Sequence, residues 1–199
     1  MKNTILILIC VSANLVNAQH IIFATGGISS PQGDLKSGFA QTGSAFEIGY
    51  YYQFKNNLGV IATFRDQSWS TKVEVNPYKA ISFNAGAIYS IKIINKFFIE
   101  PKVSIGYSNV YTPATTIPHG PDQSAQSASP EWASSFTYLA GIGLRYDFKV
   151  LSIFLNGDYT SASPTFKYNS NTIKINQSIN SLNITTGIGF RFKKAKSKE

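Results

Sequence analysis

Along most of the chain, large apolar residues alternate with small or polar ones at a period of two. The alternating segments run for roughly the 9 to 11 residues that a tilted strand needs to cross a bilayer. Phe46, Ile48, Tyr50, Tyr52 and Phe54 share one face of such a segment, while Ala45, Glu47, Gly49, Tyr51 and Gln53 share the other. Phe136, Tyr138, Ala140, Ile142, Leu144, Tyr146 and Phe148 oppose Thr137, Leu139, Gly141, Gly143, Arg145 and Asp147 in the same way. Eight segments follow the pattern, near 20–26, 42–54, 58–68, 80–92, 97–109, 135–148, 151–160 and 181–192. No stretch of helical period stands out. Short connections at 55–57, around 94–96 and at 149–150 alternate with long ones at 27–41, 69–79, 110–134 and 161–180. Three short turns and four long loops predict an all-β fold, an eight-stranded antiparallel up-and-down transmembrane β-barrel with both ends on one side. In outer-membrane barrels the short turns face the periplasm and the long loops lie outside.

Alternation alone does not separate a membrane barrel from a soluble one with an apolar interior. The glycines decide it. Gly49, Gly59, Gly86, Gly106, Gly141, Gly143, Gly187 and Gly189 fall on the face that carries polar and charged residues, with Gly157 as the exception. Glycine in a strand marks a crowded or sharply bent place, and the crowded side of a narrow barrel is its lumen. The polar face is therefore expected inside and the apolar face outside, an arrangement that makes sense in lipid. Tyr52, Phe54, Phe97, Tyr146, Phe148, Phe190 and Phe192 gather beside the short turns or the matching chain end, as an interfacial girdle would.

This orientation puts Glu47, Arg65, Lys92, Glu100, Lys102, Arg145, Asp147, Asp158 and Arg191 in the lumen. If Phe54 pairs with Leu58 across the first short turn, Glu47 sits opposite Arg65, a favourable cross-strand contact. An eight-stranded interior is only wide enough for side chains, so the expected role of Glu47, Arg65, Glu100, Lys102, Arg145, Asp158 and Arg191 is a salt-bridged plug. A conduction or gating pathway is the alternative.

The ends and the composition narrow the class further. Residues 1–18, MKNTILILICVSANLVNA, carry one lysine, an apolar run and a Val16-x-Ala18 ending, the pattern of a cleaved secretory signal. The barrel is then expected over 19–192 and a basic periplasmic tail over 193–199. The single cysteine, Cys10, would leave with the signal, so neither disulfides nor cysteine metal sites are expected. Of the formal charge of +8, the tail supplies +3, and the remaining lysines and arginines are scattered, which argues against nucleic acid as a partner. Anionic headgroups could attract Lys193, Lys194, Lys196 and Lys198.

Catalytic chemistry has little to work with. A Ser-His-acid hydrolase needs a histidine in reach of a serine. The two histidines are His20, at the start of the first strand, and His119, in a long loop with Asp122, Ser124 and Glu131. Two isolated histidines do not make a metal cluster, and Gly26, Gly27 and Gly33 precede no helix, so no phosphate loop or cofactor site is expected.

The signal-like start, the eight segments and the closing Gly187-Ile188-Gly189-Phe190-Arg191-Phe192 resemble the small outer-membrane β-barrel superfamily that includes the OmpA transmembrane domain and OmpX. Pro31-Gln32-Gly33-Asp34, Gly38-Phe39-Ala40-Gln41-Thr42-Gly43 and Tyr50-Tyr51-Tyr52 are similar to the first hairpin of porin-like members. The resemblance implies outer-membrane lipid and the barrel-assembly machinery as partners. Members serve as anchors, adhesins, resistance factors or enzymes, and fold does not choose among them. Two features depart from the pattern: the tail is too short for a periplasmic domain, and seven residues follow the terminal aromatic Phe192. The expected protein is a monomeric, non-enzymatic barrel with a structural or surface-interaction role through loops 27–41 and 110–134. A narrow channel for ions or small solutes is the alternative, and a lipid A-modifying enzyme is a third.

Overall fold

Strict alternation lets a strand send one set of side chains inward and the other outward while its backbone pairs on both sides. The chain uses this repeatedly. The computed structural model describes residues 19–37, 40–54, 56–71, 76–113, 115–117, 126–128, 131–168 and 173–193. In chain order the strands are β1 (Gln19–Gln32), β2 (Gly43–Gln53), β3 (Leu58–Trp69), β4 (Tyr78–Tyr89), β5 (Ile91–Ile94), β6 (Phe97–Thr112), β7 (Thr115–Ile117), β8 (Gln126–Ala128), β9 (Glu131–Asp147), β10 (Leu151–Ala162), β11 (Thr165–Tyr168), β12 (Ile173–Asn176) and β13 (Ile179–Lys193). A five-residue helix, α1 (Gly33–Ser37), follows β1. β4 and β5 form one wall strand interrupted at Ser90, so the wall has eight strands, each antiparallel to its neighbours. Pairing of β1 with β13 and of β4 with β6 closes the ring.

Register follows the turn chemistry. Phe54 N donates to Leu58 O at 2.7 Å, and the β2–β3 ladder places Glu47 opposite Arg65. Asn57 and Lys96 adopt φ of 67° and 73°, the left-handed conformation that lets two of the short turns reverse tightly.

The two faces differ as a membrane barrel requires. Phe136 is 74% exposed and Ile105 65%, with Ile22, Ile48, Phe83, Val103, Ile142, Ile153, Ile184 and Ile188 on the same outer surface. The side chains of Arg65 and Arg145, by contrast, are wholly buried. Rings cluster at the short-turn end, where Tyr52 meets His20 and Phe54 with centroids 5.0 Å away in each case, and Tyr146 meets Phe148 at 4.9 Å. A second set lies toward the long-loop end, Tyr107 with Phe136 and Tyr111 with Trp132. Only the first set was expected from the sequence.

The wall is taller than the apolar pattern implies. β1 continues to Gln32 and is followed by α1, so much of 27–41 is strand and helix rather than loop. β6 runs to Thr112, β9 starts at Glu131, and β10 and β13 reach Ala162 and Ile179. Within the remaining connections β11 pairs with β12 and β7 with β8. Ladder hydrogen bonds need no apolar side chains. The Ser-, Asn- and Gly-rich stretches therefore mark where the outer surface leaves lipid, not where pairing stops.

The interior carries two apolar clusters that the expected polar lumen did not include. Ile21, Phe23, Tyr51, Ile61, Ile88 and Phe154 pack inside the wall toward the short-turn end. Leu35 of α1, Trp69, Tyr78, Val110, Phe166 and Ile179 belong to a second cluster at the opposite end. Gly49 shows why the inward glycines are needed: a β-carbon there would collide with the Phe23 ring, which fills the lumen in front of it. Crowding by inward rings, rather than closure alone, accounts for this position.

Candidate functional site in the barrel lumen

Between the apolar layers, inward positions at matching registers bring charges together. β2 supplies Glu47, β3 Arg65, β6 Lys102 and β10 Asp158. Arg65 Nε donates to Glu47 Oε2 at 2.7 Å and Nη2 donates to Asp158 Oδ2 at 2.8 Å, while Nη2 also reaches Glu47 Oε2. Lys102 Nζ lies 3.0 Å from Asp158 Oδ1. Two acids and two bases make this upper group neutral, and all four side chains are at most 5% exposed. Above it, Gln67 Nε2 donates to Asn183 Oδ1 at 2.8 Å and Ser181 Oγ at 2.9 Å, and Trp69 Nε1 to Ser29 Oγ at 2.9 Å.

A second group sits at the short-turn end. Arg145 Nε donates to Glu100 Oε1 at 2.9 Å, and its Nη1 binds both oxygens of Asp147, each at 2.9 Å. Arg191 Nη1 donates to Asp147 Oδ2, Nη2 to the carbonyls of Phe148 and Lys149, and Ser152 Oγ to Asp147 Oδ1 at 2.6 Å. Ser90 links Glu100 to the Tyr51 hydroxyl, at 2.6 and 2.5 Å. The Arg145 guanidinium also lies 4.3 Å from the centre of the Phe98 ring, a desolvated cation–π contact. This group is likewise neutral, with two arginines against two acids. Among the described residues no ion pair joins the two groups.

The seven expected plug residues therefore separate into two sets, Glu47, Arg65, Lys102 and Asp158 in one and Glu100, Arg145 and Arg191 in the other. The acid that meets Arg191 is Asp147. Lys92 does not join them: the ladder slips between Lys92 and Ile94, and the side chain is exposed at the rim. Ser90, which bridges Tyr51 and Glu100, was not foreseen because it stands at the interruption between β4 and β5, where parity gives no direction. Gln67 and Asn183 were legible as inward by parity but carried no charge to draw notice.

The residues considered for catalysis do not converge in the described part of the chain. His20 lies at the short-turn end, where its Nδ1 is 2.6 Å from the Tyr50 hydroxyl. His119, Asp122 and Ser124 lie outside the described residues, while Glu131 Oε2 accepts the backbone N–H of Lys167 at 2.7 Å. Contrary to the expectation that Gly26, Gly27 and Gly33 precede no helix, Gly26 and Gly27 lie within β1 and a helix of a single turn begins at Gly33. Among the described residues no three His, Cys, Asp or Glu side chains converge as a metal site.

No family model matches the chain, and no curated protein matches it in sequence. Solved structures do match in architecture. Neisserial surface protein A (NspA) superposes with a TM-score of 0.56 at 13% identity, covering 87% of this chain and 97% of that one. A major outer membrane protein from Thermus thermophilus gives 0.54 at 12% identity, over 88% and 99%. OprG from Pseudomonas aeruginosa gives 0.51 at 12% identity, over 89% and 96%. With an apolar belt outside, charges paired inside and a ring closed by β1 and β13, the chain has the fold of a small, eight-stranded bacterial outer-membrane β-barrel.

Proposed function

We propose that the protein is a non-catalytic outer-membrane barrel whose lumen is a structural plug and whose long-loop end is a surface for interaction. The observation that carries this reading is the burial of two neutral charge groups along a lumen that also holds two apolar clusters, which leaves the interior filled with side chains. A filled lumen directs function to the outside. There the wall strands run past the apolar belt, and the β7–β8 and β11–β12 pairs extend from it. Loops held by a rigid scaffold are where binding is most often placed.

A narrow channel is the second reading, favoured by one specific observation. Thr25 Oγ1, Thr185 Oγ1, Glu47 Oε1, Arg65 Nη1 and Asn84 Oδ1 are buried without a protein hydrogen-bond partner. Buried polar atoms of this kind take water, and connected water would make a thin path.

One variant separates the readings. Replacing 113–130 with a short turn is expected to leave the gel shift between unboiled and boiled samples intact while abolishing attachment of cells to their surface ligand. Wild-type protein in planar bilayers is expected to show no reproducible conductance. Steady unitary currents that change with Glu47→Ala would instead establish the channel.

A further inference from the structure

The charge of the protein is distributed unevenly between its ends. The lumen is neutral, as described above. In sequence, the four long connections and the strand ends beside them contain five lysines (36, 72, 79, 167 and 174) and five acids (34, 66, 74, 122 and 131), which cancel. The short-turn end and the residues after Phe192 hold Lys55, Lys92, Lys96, Lys149 and Lys193 with three more lysines and one glutamate, a surplus of seven positive charges. Lys2, in the first 18 residues, supplies the eighth charge of the formal +8. In sequence, the net charge of residues 19–199 therefore falls in the stretches beside the short turns and after Phe192, and of these lysines the structure describes Lys92, Lys96 and Lys149 at the rim.

We propose that this rim is a basic collar that docks the anionic phospholipid headgroups of the leaflet it faces. Three exposed lysines, Lys92, Lys96 and Lys149, line one concavity with Phe98, Asp147 and Arg191. Among the described residues the one acid lining that concavity, Asp147, is already engaged by Arg145, Arg191 and Ser152. Among the described residues the three lysines make no ion pair, and the buried Nε of Arg191 has no protein partner. The concavity thus offers cationic donors without a matching acceptor of its own, which a phosphate group supplies.

Depth selects lipid over a soluble polyanion. An aromatic of the girdle adjoins a lysine at each end of the short-turn side: Phe54-Lys55, Lys96-Phe97, Phe148-Lys149 and Phe192-Lys193. Phe148 and Phe192 are about half exposed on the outer face, where rings sit at the membrane interface. One residue of strand is about 3.4 Å, so Lys96 and Lys149 stand at headgroup level rather than deep in the periplasm. The short turns of outer-membrane barrels face the periplasm. The leaflet concerned is then the phospholipid leaflet on that side.

Lysines near an anionic surface contribute a factor of roughly five each in association at low salt. The test is native mass spectrometry of the purified protein released from mixed phosphatidylglycerol and phosphatidylcholine micelles, counting retained lipids of each kind. Wild type is expected to retain phosphatidylglycerol preferentially. Lys92→Gln, Lys96→Asn and Lys149→Gln together are expected to lower that preference at least tenfold, asparagine being chosen because it tolerates the positive φ at 96. The matching triple arginine variant is expected to keep it, and the preference is expected to collapse in 1 M salt, where screening acts over about 3 Å. An unboiled gel shift in every variant shows that the barrel has formed. Equal retention of the two lipids by wild type would overturn the proposal. So would an undiminished preference in the neutral triple variant, or a preference lost only when residues after Lys193 are removed. Binding of soluble peptidoglycan fragments in place of the lipid would also overturn it.

Discussion

Replacing Arg65 with methionine is expected to destabilise the folded barrel by about 3–5 kcal/mol, the loss seen when one member of a buried ion group is removed. Methionine keeps the apolar stem of the arginine but not the guanidinium at its end, so the loss reports the missing charge and its hydrogen bonds together with a smaller loss of volume. Arg65 is the member shared by two carboxylates, and without it, among the described residues, Glu47 has no ion-pair partner while Asp158 keeps Lys102 alone. Lys102→Met should be milder, because Asp158 retains Arg65. Neutralising the orphan as well, with Glu47→Gln in the Arg65→Met background, should restore part of the loss. Equilibrium urea unfolding of the protein refolded into vesicles measures all three. An Arg65→Met effect below about 1 kcal/mol, the range of solvent-exposed pairs, would mean that water reaches the group and that the lumen is not sealed.

Gly49→Ala is the second large effect, and its origin is steric. The added carbon would occupy the place of the Phe23 ring, and overpacking of this kind costs about 1–3 kcal/mol. The obstacle is a side chain, so Phe23→Ala should remove it. Although Phe23→Ala is itself destabilising by about 3–5 kcal/mol, Gly49→Ala should add nothing in that background. A double-mutant cycle then gives a coupling of at least about 1 kcal/mol, well above the scatter for independent sites. Gly187 supplies the contrast. A β-carbon there meets backbone, with Thr25 Cα at 2.6 Å and the Ala24 carbonyl closer still, so no single truncation should rescue Gly187→Ala. Strict additivity between Gly49→Ala and Phe23→Ala would show that the ring does not fill the lumen at that position.

The sense of the barrel was legible because two independent signals agree. Parity divides each strand into faces, and the inward glycines say which face is crowded. The Glu47–Arg65 opposition followed from one short turn, since antiparallel register is fixed once the turn is. Parity also places Ile21, Phe23, Ile61 and Phe154 inside, but as apolar residues they do not contrast with the lipid-facing set as the inward charges do. Other features were beyond its reach. The separation of the charges into two groups depends on pairings between strands distant in sequence, such as Arg65 with Asp158, and alternation carries no information about those. Leu35 looked like a loop residue, yet it is buried in the apolar cluster at the long-loop end, because α1 packs against the extended strands β1 and β13. The extent of the wall was hidden for a simpler reason, that hydropathy follows the solvent around a strand and not its hydrogen bonds.

Spin labels at adjacent residues of β6 test most directly which face meets lipid. Single cysteines at Ile105, which is 65% exposed, and Ser104, which is 8% exposed, are placed one at a time in a Cys10→Ser background. The protein is reconstituted in bilayers and its collisions with oxygen, concentrated in lipid, are compared with those of a water-soluble nickel complex. A barrel with its apolar face outward gives a label at 105 that oxygen relaxes strongly and nickel hardly at all, and a label at 104 shielded from both. Strong nickel relaxation at 105, or oxygen relaxation greater at 104 than at 105, would contradict the orientation on which the plug, the belt and the basic collar all depend.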